Sequence, residues 1–222
     1  MARWEGVRGS PVAAGERIMP ECRRIVLTGG PGGGKSTFIS ELQAEDPRGE
    51  RWLPVPEAAS LLLSAGLVRG EKAFQQAVVR LQIALEDAVA EGAGAGTGTG
   101  RTVRGDRILL CDRGTVDSLA YWRLGGWDEQ AFFDLLGMSH QDHLRRYFGV
   151  IHMQTSAVGA EAHYQAGPQT VRNELPEQAA RIDALCAEVW RGHRRYALIE
   201  NAGRDWGAKA RAAREVLDRW LA

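Results

Sequence analysis

The sequence predicts an α/β fold in which a parallel β-sheet carries helices on both of its faces. Short apolar segments alternate along the chain with longer segments of helical spacing, which is typical of such sheets. A glycine-rich segment, 29–34, lies directly between the first apolar segment and the first helical one. The length of 222 residues fits a single domain, and a chain of this size can bury a large core.

The predicted strands are apolar runs that end in glycine or in polar residues. The first is β-branched and runs into the glycines, the second is short and is followed by Pro56, and the third ends at Asp112. Strands bounded in this way are typical of a sheet that is buried on both faces. Their predicted positions are 24–28, 51–55, 107–111, 147–153 and 196–200.

The predicted helices have apolar residues spaced three or four apart. The clearest is a long helix in which Phe74, Val78, Leu81 and Leu85 form an apolar stripe, as expected for a helix that packs on one side. The helices are predicted at 36–43, from about 58 to 63, around 74–85, and at 116–123, 129–146, 177–194 and 208–221.

Two segments lack the composition of packed structure. Residues 1–21 show no periodicity and are expected to form a loose leader before a single domain at 22–222. Residues 91–105 consist largely of Gly, Ala and Thr, a composition that predicts a flexible loop.

Composition and charge limit the class of partner. Lys and Arg number 28, and Asp and Glu also number 28, so the chain has no overall basic field to hold nucleic acid or an anionic membrane. No apolar run approaches the length of a membrane span, and the three cysteines form neither a disulfide framework nor a zinc pattern. These features predict a cytoplasmic protein with a small-molecule partner, and they leave its oligomeric state open.

The glycine-rich segment carries the strongest motif. Residues 29–37 match G-x-x-x-x-G-K-[ST], with a strand before and a helix after. Glycines let several backbone N–H groups converge on a phosphate, the lysine reaches the β- and γ-phosphates, and the serine hydroxyl can ligate Mg²⁺. The motif therefore predicts ATP and Mg²⁺ as cofactors, held by Gly29, Gly30, Gly32, Gly33, Gly34, Lys35, Ser36 and Thr37.

Two acidic residues follow neighbouring strands and are candidates for catalysis. Asp112, at the end of the third strand, could hold Mg²⁺ together with Ser36, and Arg113 beside it could clamp a phosphate or the acceptor. Glu57, after the second strand, could take a proton from an acceptor hydroxyl. Each also has a purely structural interpretation, since Asp112 could cap a helix and Glu57 could lie at a solvent-facing helix start.

A polar stripe runs along the long helix beside its apolar one. Gln75, Gln82 and Glu86 lie about a quarter-turn from the apolar stripe, and together with Phe74 they could line an acceptor pocket. An ordinary surface helix shows the same pattern, so both interpretations stay open.

The combination of segments resembles the AAA-domain family related to the kinase domain of NadR. The resemblance spans roughly 23–221 and includes the glycine-rich motif at 29–37. The other residues that carry it are Val55, Pro56, Glu57, Ala58, Ala59, Phe74, Gln75, Gln82, Glu86, Asp112, Arg113, Gly114, Asp117, Ala120, Tyr121, Val171, Arg172, Asn173, Glu174, Ala179, Ile182, Asp183, Trp190, His193, Ile199, Glu200 and Asn201.

The resemblance implies a kinase-like P-loop core with strand order 2-3-1-4-5 and a layout similar to that of deoxynucleoside kinases. It implies that Glu57 is the base, that Asp112 binds the metal and that Arg113 contacts the acceptor or the transition state. A lid at about 154–193 would supply Arg172, and alternatively Arg181, while Asn201 would join the nucleotide site.

The expected function is an ATP- and Mg²⁺-dependent phosphotransferase that acts on a hydroxyl of a nucleoside-like acceptor. A nucleotide-binding switch or weak NTPase that works through a protein or lipid partner is the alternative, and a tight polar pocket beside Glu57 would distinguish the two. The chain lacks the Asn-Lys-x-Asp motif that reads guanine, which weakens a GTPase interpretation. A nucleic-acid end kinase is disfavoured by the zero net charge.

Overall fold

The computed structural model describes residues 22–94, 107–164, 174–201 and 205–222. Five parallel strands form one sheet in the order β2-β3-β1-β4-β5, which confirms the predicted fold class and strand order. The strands are β1 (Arg23–Thr28), β2 (Trp52–Val55), β3 (Ile108–Asp112), β4 (Gly149–Met153) and β5 (Tyr196–Ile199).

Eight α-helices connect and cover these strands in the part of the chain described. They are α1 (Lys35–Glu45), α2 (Ala58–Ser64), α3 (Lys72–Gly94), α4 (Asp117–Leu124), α5 (Gln130–Asp134), α6 (His140–Arg145), α7 (Pro176–Val189) and α8 (Trp206–Leu221), with a short 3₁₀ turn at Glu161–His163. Within the described residues, no helix has both the length and the apolar character that a membrane crossing requires.

Alternate residues of the central strands build two separate cores. Ile25 and Leu27 of β1 pack with α1 and α8 on one face of the sheet, whereas Val26 between them packs with α4 and α7 on the other. This is the side-chain alternation of a strand buried on both faces. All five strands are parallel, so the segments that follow β1, β2 and β3 meet at one edge.

Helix α3 ends later than the sequence indicates. It continues to Gly94, four residues into the segment 91–105 that we predicted as a flexible loop. Val89 and Ala90 pack against the core, and Arg107 Nη1 donates to the Ala93 carbonyl at 2.8 Å, which satisfies an acceptor at the helix end. Residues 95–105 of that segment, like the leader 1–21, lie outside the described residues.

The single helix predicted at 129–146 is wrong, because the chain forms α5 and α6 there. Gly137 adopts a left-handed φ of 62° between them, which ends the first helix. Ser139 then caps α6, accepting from the Asp142 N–H while the Asp142 side chain accepts from the Ser139 N–H. The capping box at Ser139 thus begins a second helix at a point where the apolar spacing indicates that the first helix continues.

Helix α7 lies within the segment 154–193 predicted as a lid, and one side of it packs into the core. Ala179, Ile182, Cys186 and Val189 are buried in it, so much of the segment 154–193 predicted as a lid belongs to the packed domain. The helix ends at Val189 instead of 194, as a cap at Trp190 and a left-handed Gly192 follow.

Candidate active site

The segment 29–34 forms a loop from the end of β1 to the start of α1. Gly29 and Gly34 have φ values of 119° and 88°. A Cβ on Gly29 would lie 2.3 Å from the Met153 carbonyl oxygen, and one on Gly34 would lie 2.2 Å from the Trp206 ring. Conformation and close packing therefore both require glycine here. The loop leads into the amino terminus of α1, where backbone N–H groups and the helix dipole favour a bound anion.

Lys35 is folded back onto this loop. Its Nζ donates to the carbonyls of Gly29 at 3.1 Å and Gly30 at 2.9 Å. Burial is the main cause that lowers the pKa of Lys35, and the nearby Arg113 charge lowers it further. Because these carbonyls are weak partners for a buried ammonium, Lys35 can exchange them for phosphate oxygens.

Ser36 and Asp112 meet where β1 and β3 end side by side. The Ser36 hydroxyl donates to Asp112 Oδ2 at 2.6 Å, and the parallel pairing of the two strands puts these residues at one edge. Burial raises the pKa of Asp112, while the charge of Lys35 opposes that shift. A bound cation would offset this burial and favour the carboxylate.

The donor set fits Mg²⁺. No group of three or more His, Cys, Asp or Glu side chains in the described ranges could hold a metal by itself. Mg²⁺ normally takes one or two protein oxygens and completes its octahedron with phosphate oxygens and water. Ser36 and Asp112 offer one hydroxyl and one carboxylate beside the phosphate loop.

Glu57 lies at the N-cap of α2, directly after β2. Its Oε1 accepts from Arg113 Nε at 2.6 Å and its Oε2 from the Ser60 hydroxyl. Burial raises the pKa of Glu57, but the charge of Arg113 and the two hydrogen bonds outweigh it and lower the pKa to about 2. Glu57 is therefore a carboxylate at neutral pH, with 27% of its side chain exposed toward the cavity described below.

Arg113 connects the loop to Glu57. Besides its bond to Glu57, its Nη1 donates to the Gly29 carbonyl at 3.1 Å and lies 3.5 Å from Asp117 Oδ1. Its guanidinium also stacks over the Tyr121 ring at 5.4 Å. Arg113 is buried and held on several sides, so both the position and the orientation of its guanidinium are fixed.

A cavity of about 630 Å³ opens beside these groups. Lys35, Ser36, Glu57, Asp112 and Arg113 line one end of it. The remaining lining combines aromatic and polar side chains, as binding sites for small organic molecules commonly do. That part includes Phe74, Gln75, Gln82, Ser118, Tyr121, Trp127, Glu174, Gln178 and Arg181.

Three of the four pocket residues predicted on the long helix line this cavity, and Glu86 does not. Phe74, Gln75 and Gln82 are lining residues, whereas Glu86 is fully buried behind Gln82. Glu86 accepts from Tyr147 OH at 2.8 Å and from Arg146 Nη2 at 3.0 Å. Arg146 and Tyr147 thus cover the helix face that carries Glu86, and Glu86 does not line the cavity.

The remaining predicted residues fall in different places. Thr37 is exposed on the first turn of α1. The Asn201 side chain donates to the carbonyls of Thr155 and Val158, both at 2.7 Å, and accepts from Lys209, so it braces the segment after β4. Arg172 lies outside the described residues. Arg181 is exposed on α7 and lines the cavity.

Asp183 is a site residue for which the motifs predicted no role. Its Oδ1 accepts from the Gly30 N–H at 2.7 Å and from the Thr155 N–H at 2.9 Å. His152 Nε2 lies 3.1 Å from the same oxygen, and the Tyr196 hydroxyl lies 2.7 Å from His152 Nδ1. A buried carboxylate thus ties the phosphate loop to α7 and to β4. A lone Asp in a helical pattern offers no signal of such a contact.

The parallel sheet, the glycine loop, Lys35 and the Ser36–Asp112 pair together define a P-loop nucleotide-binding domain. Residues 24–208 match the AAA domain family. The chain belongs to this family.

A solved structure also shares the fold. The crystal structure of NadR in complex with NAD and AMP-PNP superposes with a TM-score of 0.61 at 12% sequence identity. The match covers 90% of this chain and 49% of the NadR chain, so this chain spans about half the length of that relative. No curated protein matches the chain in sequence.

Proposed function

We propose that this protein is an ATP- and Mg²⁺-dependent phosphotransferase that moves the γ-phosphate of ATP to a hydroxyl of a nucleoside-like acceptor. The observation that carries the proposal is the 630 Å³ cavity that begins at Lys35, Ser36 and Asp112 and continues past Glu57. A switch that hydrolyses its nucleotide needs no such cavity beyond the phosphate loop. A partly open cavity that Phe74, Gln75 and Gln82 help to line supports a second small substrate.

Glu57 is the proposed base, and its surroundings specify how it would act. With a pKa of about 2, it is a weak proton acceptor that is always ionised near neutral pH. It would therefore orient the acceptor hydroxyl first and accept its proton as the bond to phosphorus forms. A late proton transfer of this kind suits phosphoryl transfer, in which positioning and charge stabilisation contribute most.

Cationic side chains around the cavity would offset the charge that develops on the transferred group. Lys35 and Arg113 lie at the phosphate end, and Arg181 lines the same cavity from α7. Within the described residues, Arg181 pairs with no carboxylate, so its guanidinium is available to a phosphoryl oxygen. Mg²⁺ held by Ser36 and Asp112 would polarise the phosphates and neutralise part of their charge.

The comparisons agree with ATP as the phosphate donor. The NadR structure was solved with AMP-PNP, an analogue of ATP, and with NAD. NAD contains two nucleoside units, which is in keeping with a nucleoside-like acceptor. The substrate screen that tests the proposal measures transfer from ATP-Mg²⁺ to nucleosides, nucleotides, sugars and aminoglycosides. Transfer to no nucleoside would contradict it, even if a sugar or an aminoglycoside were used.

Glu57→Gln separates the phosphotransferase from the switch. The amide keeps the size of the side chain, its oxygen can still accept from Arg113, and its NH2 group can donate to the Ser60 hydroxyl. The fold and ATP binding should therefore survive. Losing a positioned base typically lowers the rate about 10²–10⁴-fold. We expect transfer to fall by this amount in a radiolabelled-ATP assay, with the Kd of ATP-Mg²⁺ nearly constant in calorimetry.

The matched control is Glu215→Gln, which makes the same chemical change at an exposed position of α8. It should leave both transfer and binding unchanged. If Glu57→Gln also leaves slow hydrolysis and binding unchanged and no acceptor is used, the switch interpretation is correct. Loss of ATP binding itself would assign Glu57 to the metal site instead.

A further inference from the structure

Gln82 is one of the residues that line the cavity, and its side-chain amide is held by two partners. Nε2 donates to the backbone carbonyl of Arg113 at 3.1 Å and to Glu86 Oε1 at 3.1 Å. The residue is 2% exposed, yet it lines the cavity. Both hydrogens of Nε2 are therefore used within the protein.

The orientation of this amide follows from its partners. A backbone carbonyl can only accept, so the atom that faces the Arg113 oxygen must be the amide nitrogen. A flipped amide would bring Oε1 within about the same distance of the Arg113 carbonyl and a Glu86 oxygen. Oε1 would then face the Arg113 carbonyl oxygen in a buried space with no hydrogen between the two atoms, which is strongly unfavourable.

Glu86, which does not line the cavity, helps to fix the orientation of the Gln82 amide. Its carboxylate is held by Arg146 and by Tyr147, at 3.0 and 2.8 Å, and Arg146 also donates to Asp87 at 2.8 Å. The pair of Glu86 oxygens thus has a fixed position, and one of them accepts from Gln82. Glu86 acts as a positioning residue that reaches the cavity only through Gln82.

With Nε2 used, Gln82 has only acceptor capacity left to offer to a ligand. The same cavity is lined by the aromatic side chains of Phe74, Tyr121 and Trp127, which favour flat rings. We propose that Gln82 selects the acceptor by requiring a hydrogen-bond donor, a ring N–H or amino group on a nucleobase-like ring, opposite its Oε1. This inference rests on the proposed phosphotransferase function, since it concerns the acceptor of that reaction.

Pairs of nucleosides that differ only in N-methylation of the base test the inference. Suitable pairs are uridine with 3-methyluridine, cytidine with N4,N4-dimethylcytidine, and adenosine with N6,N6-dimethyladenosine. For the nucleoside that the enzyme phosphorylates, we expect kcat/KM of the parent to exceed that of its methylated partner by about tenfold to a hundredfold. In Gln82→Ala the ratio should fall to near one, because the acceptor oxygen is gone and the methyl group has space.

Gln75→Ala is the matched control, since Gln75 is a second glutamine of the same helix and the same cavity. It should lower kcat/KM equally for both members of a pair and keep their ratio. Equal use of both members by the unmodified enzyme, or loss of the ratio in Gln75→Ala, would overturn the role of Gln82. Such a result leaves the phosphotransferase function standing, whereas transfer to no nucleoside overturns both.

A spectroscopic measurement tests the amide orientation without relying on activity. In ¹H–¹⁵N spectra of the unmodified protein, the Gln82 side-chain pair is identified by sequential assignment from its own backbone amide. We expect both Nε2 protons to exchange slowly with water and to shift in Glu86→Gln. Fast exchange, as for an exposed glutamine, would overturn the inference even if the Gln82 variant fails to fold.

Discussion

Replacing Asp183 should loosen the phosphate loop and destabilise the domain. In Asp183→Ala the N–H groups of Gly30 and Thr155 lose the oxygen that they donate to at 2.7 and 2.9 Å. Each buried unpaired N–H costs roughly 1–3 kcal/mol, so for the two groups we expect the free energy of unfolding to fall by about 2–6 kcal/mol. Asp183→Asn keeps an acceptor oxygen at the same position and loses only the charge, so its cost should be about 1–2 kcal/mol.

Urea unfolding at a constant m-value measures these differences, and calorimetry follows ATP binding. Because Gly30 belongs to the phosphate loop, ATP should bind more weakly to Asp183→Ala than to Asp183→Asn. Glu177→Ala, at an exposed position of the same helix, serves as the control and should stay within about 0.5 kcal/mol of the unmodified protein. An Asp183→Ala protein as stable as that control would refute the reasoning.

The same carboxylate makes stability depend on pH in a definite direction. Burial raises the pKa of Asp183, but its contact with His152 and its two backbone hydrogen bonds outweigh this and lower it. A depressed folded-state pKa adds stability above the ordinary value of about 3.9, and that stability is lost as the pH falls through the folded-state pKa. In acid unfolding, Asp183→Asn should therefore lose less stability between neutral and acid pH than the unmodified protein.

Two further predictions concern the phosphate loop. Lys35→Ala should lower ATP turnover by several orders of magnitude. Circular dichroism should still show an intact fold, because Lys35 Nζ bonds only to loop carbonyls in the described structure. Retained turnover would show that the phosphate loop takes no part in the mechanism. Gly34→Ala should destabilise the domain for two reasons. The left-handed φ alone should cost at least about 1–2 kcal/mol, and the new Cβ would also clash with the Trp206 ring, which adds to that cost. The double variant Gly34→Ala/Trp206→Ala should show non-additive unfolding free energies, and full additivity would exclude that clash.

The sheet could be predicted from the sequence because its strands are buried on both faces. Such strands are continuous apolar runs. All five end within one residue of the predicted position, and four of the five also begin within one residue of it. Helix ends were less predictable, since they depend on groups that are distant in sequence or on single caps. Arg107 satisfies the end of α3, and Ser139 starts a helix where apolar spacing alone indicates continuation.

The same distinction applies to the candidate site. Lys35, Ser36, Asp112 and Glu57 could be singled out because each follows a strand in a local motif, and the parallel sheet brings them together. The contact that Asp183 makes with Gly30 could not be predicted, because it joins residues 153 positions apart in the chain. Glu86 was expected in the cavity because it shares a helical stripe with Gln82, yet periodicity does not tell which part of a stripe another element covers.

Arg113 belongs to a local motif after β3 and also contacts residues that are distant in the sequence. In the described ranges it is the only residue other than glycine with a positive φ, at 72°, and such a conformation costs energy for a side chain of this size. Its N–H donates to the Leu27 carbonyl at 3.0 Å and its carbonyl accepts from Gln82, so the strained backbone is held on both sides. This conformation allows one guanidinium to reach both the Gly29 carbonyl and Glu57. The Gln82 amide thus holds the backbone of the residue whose guanidinium contacts Glu57.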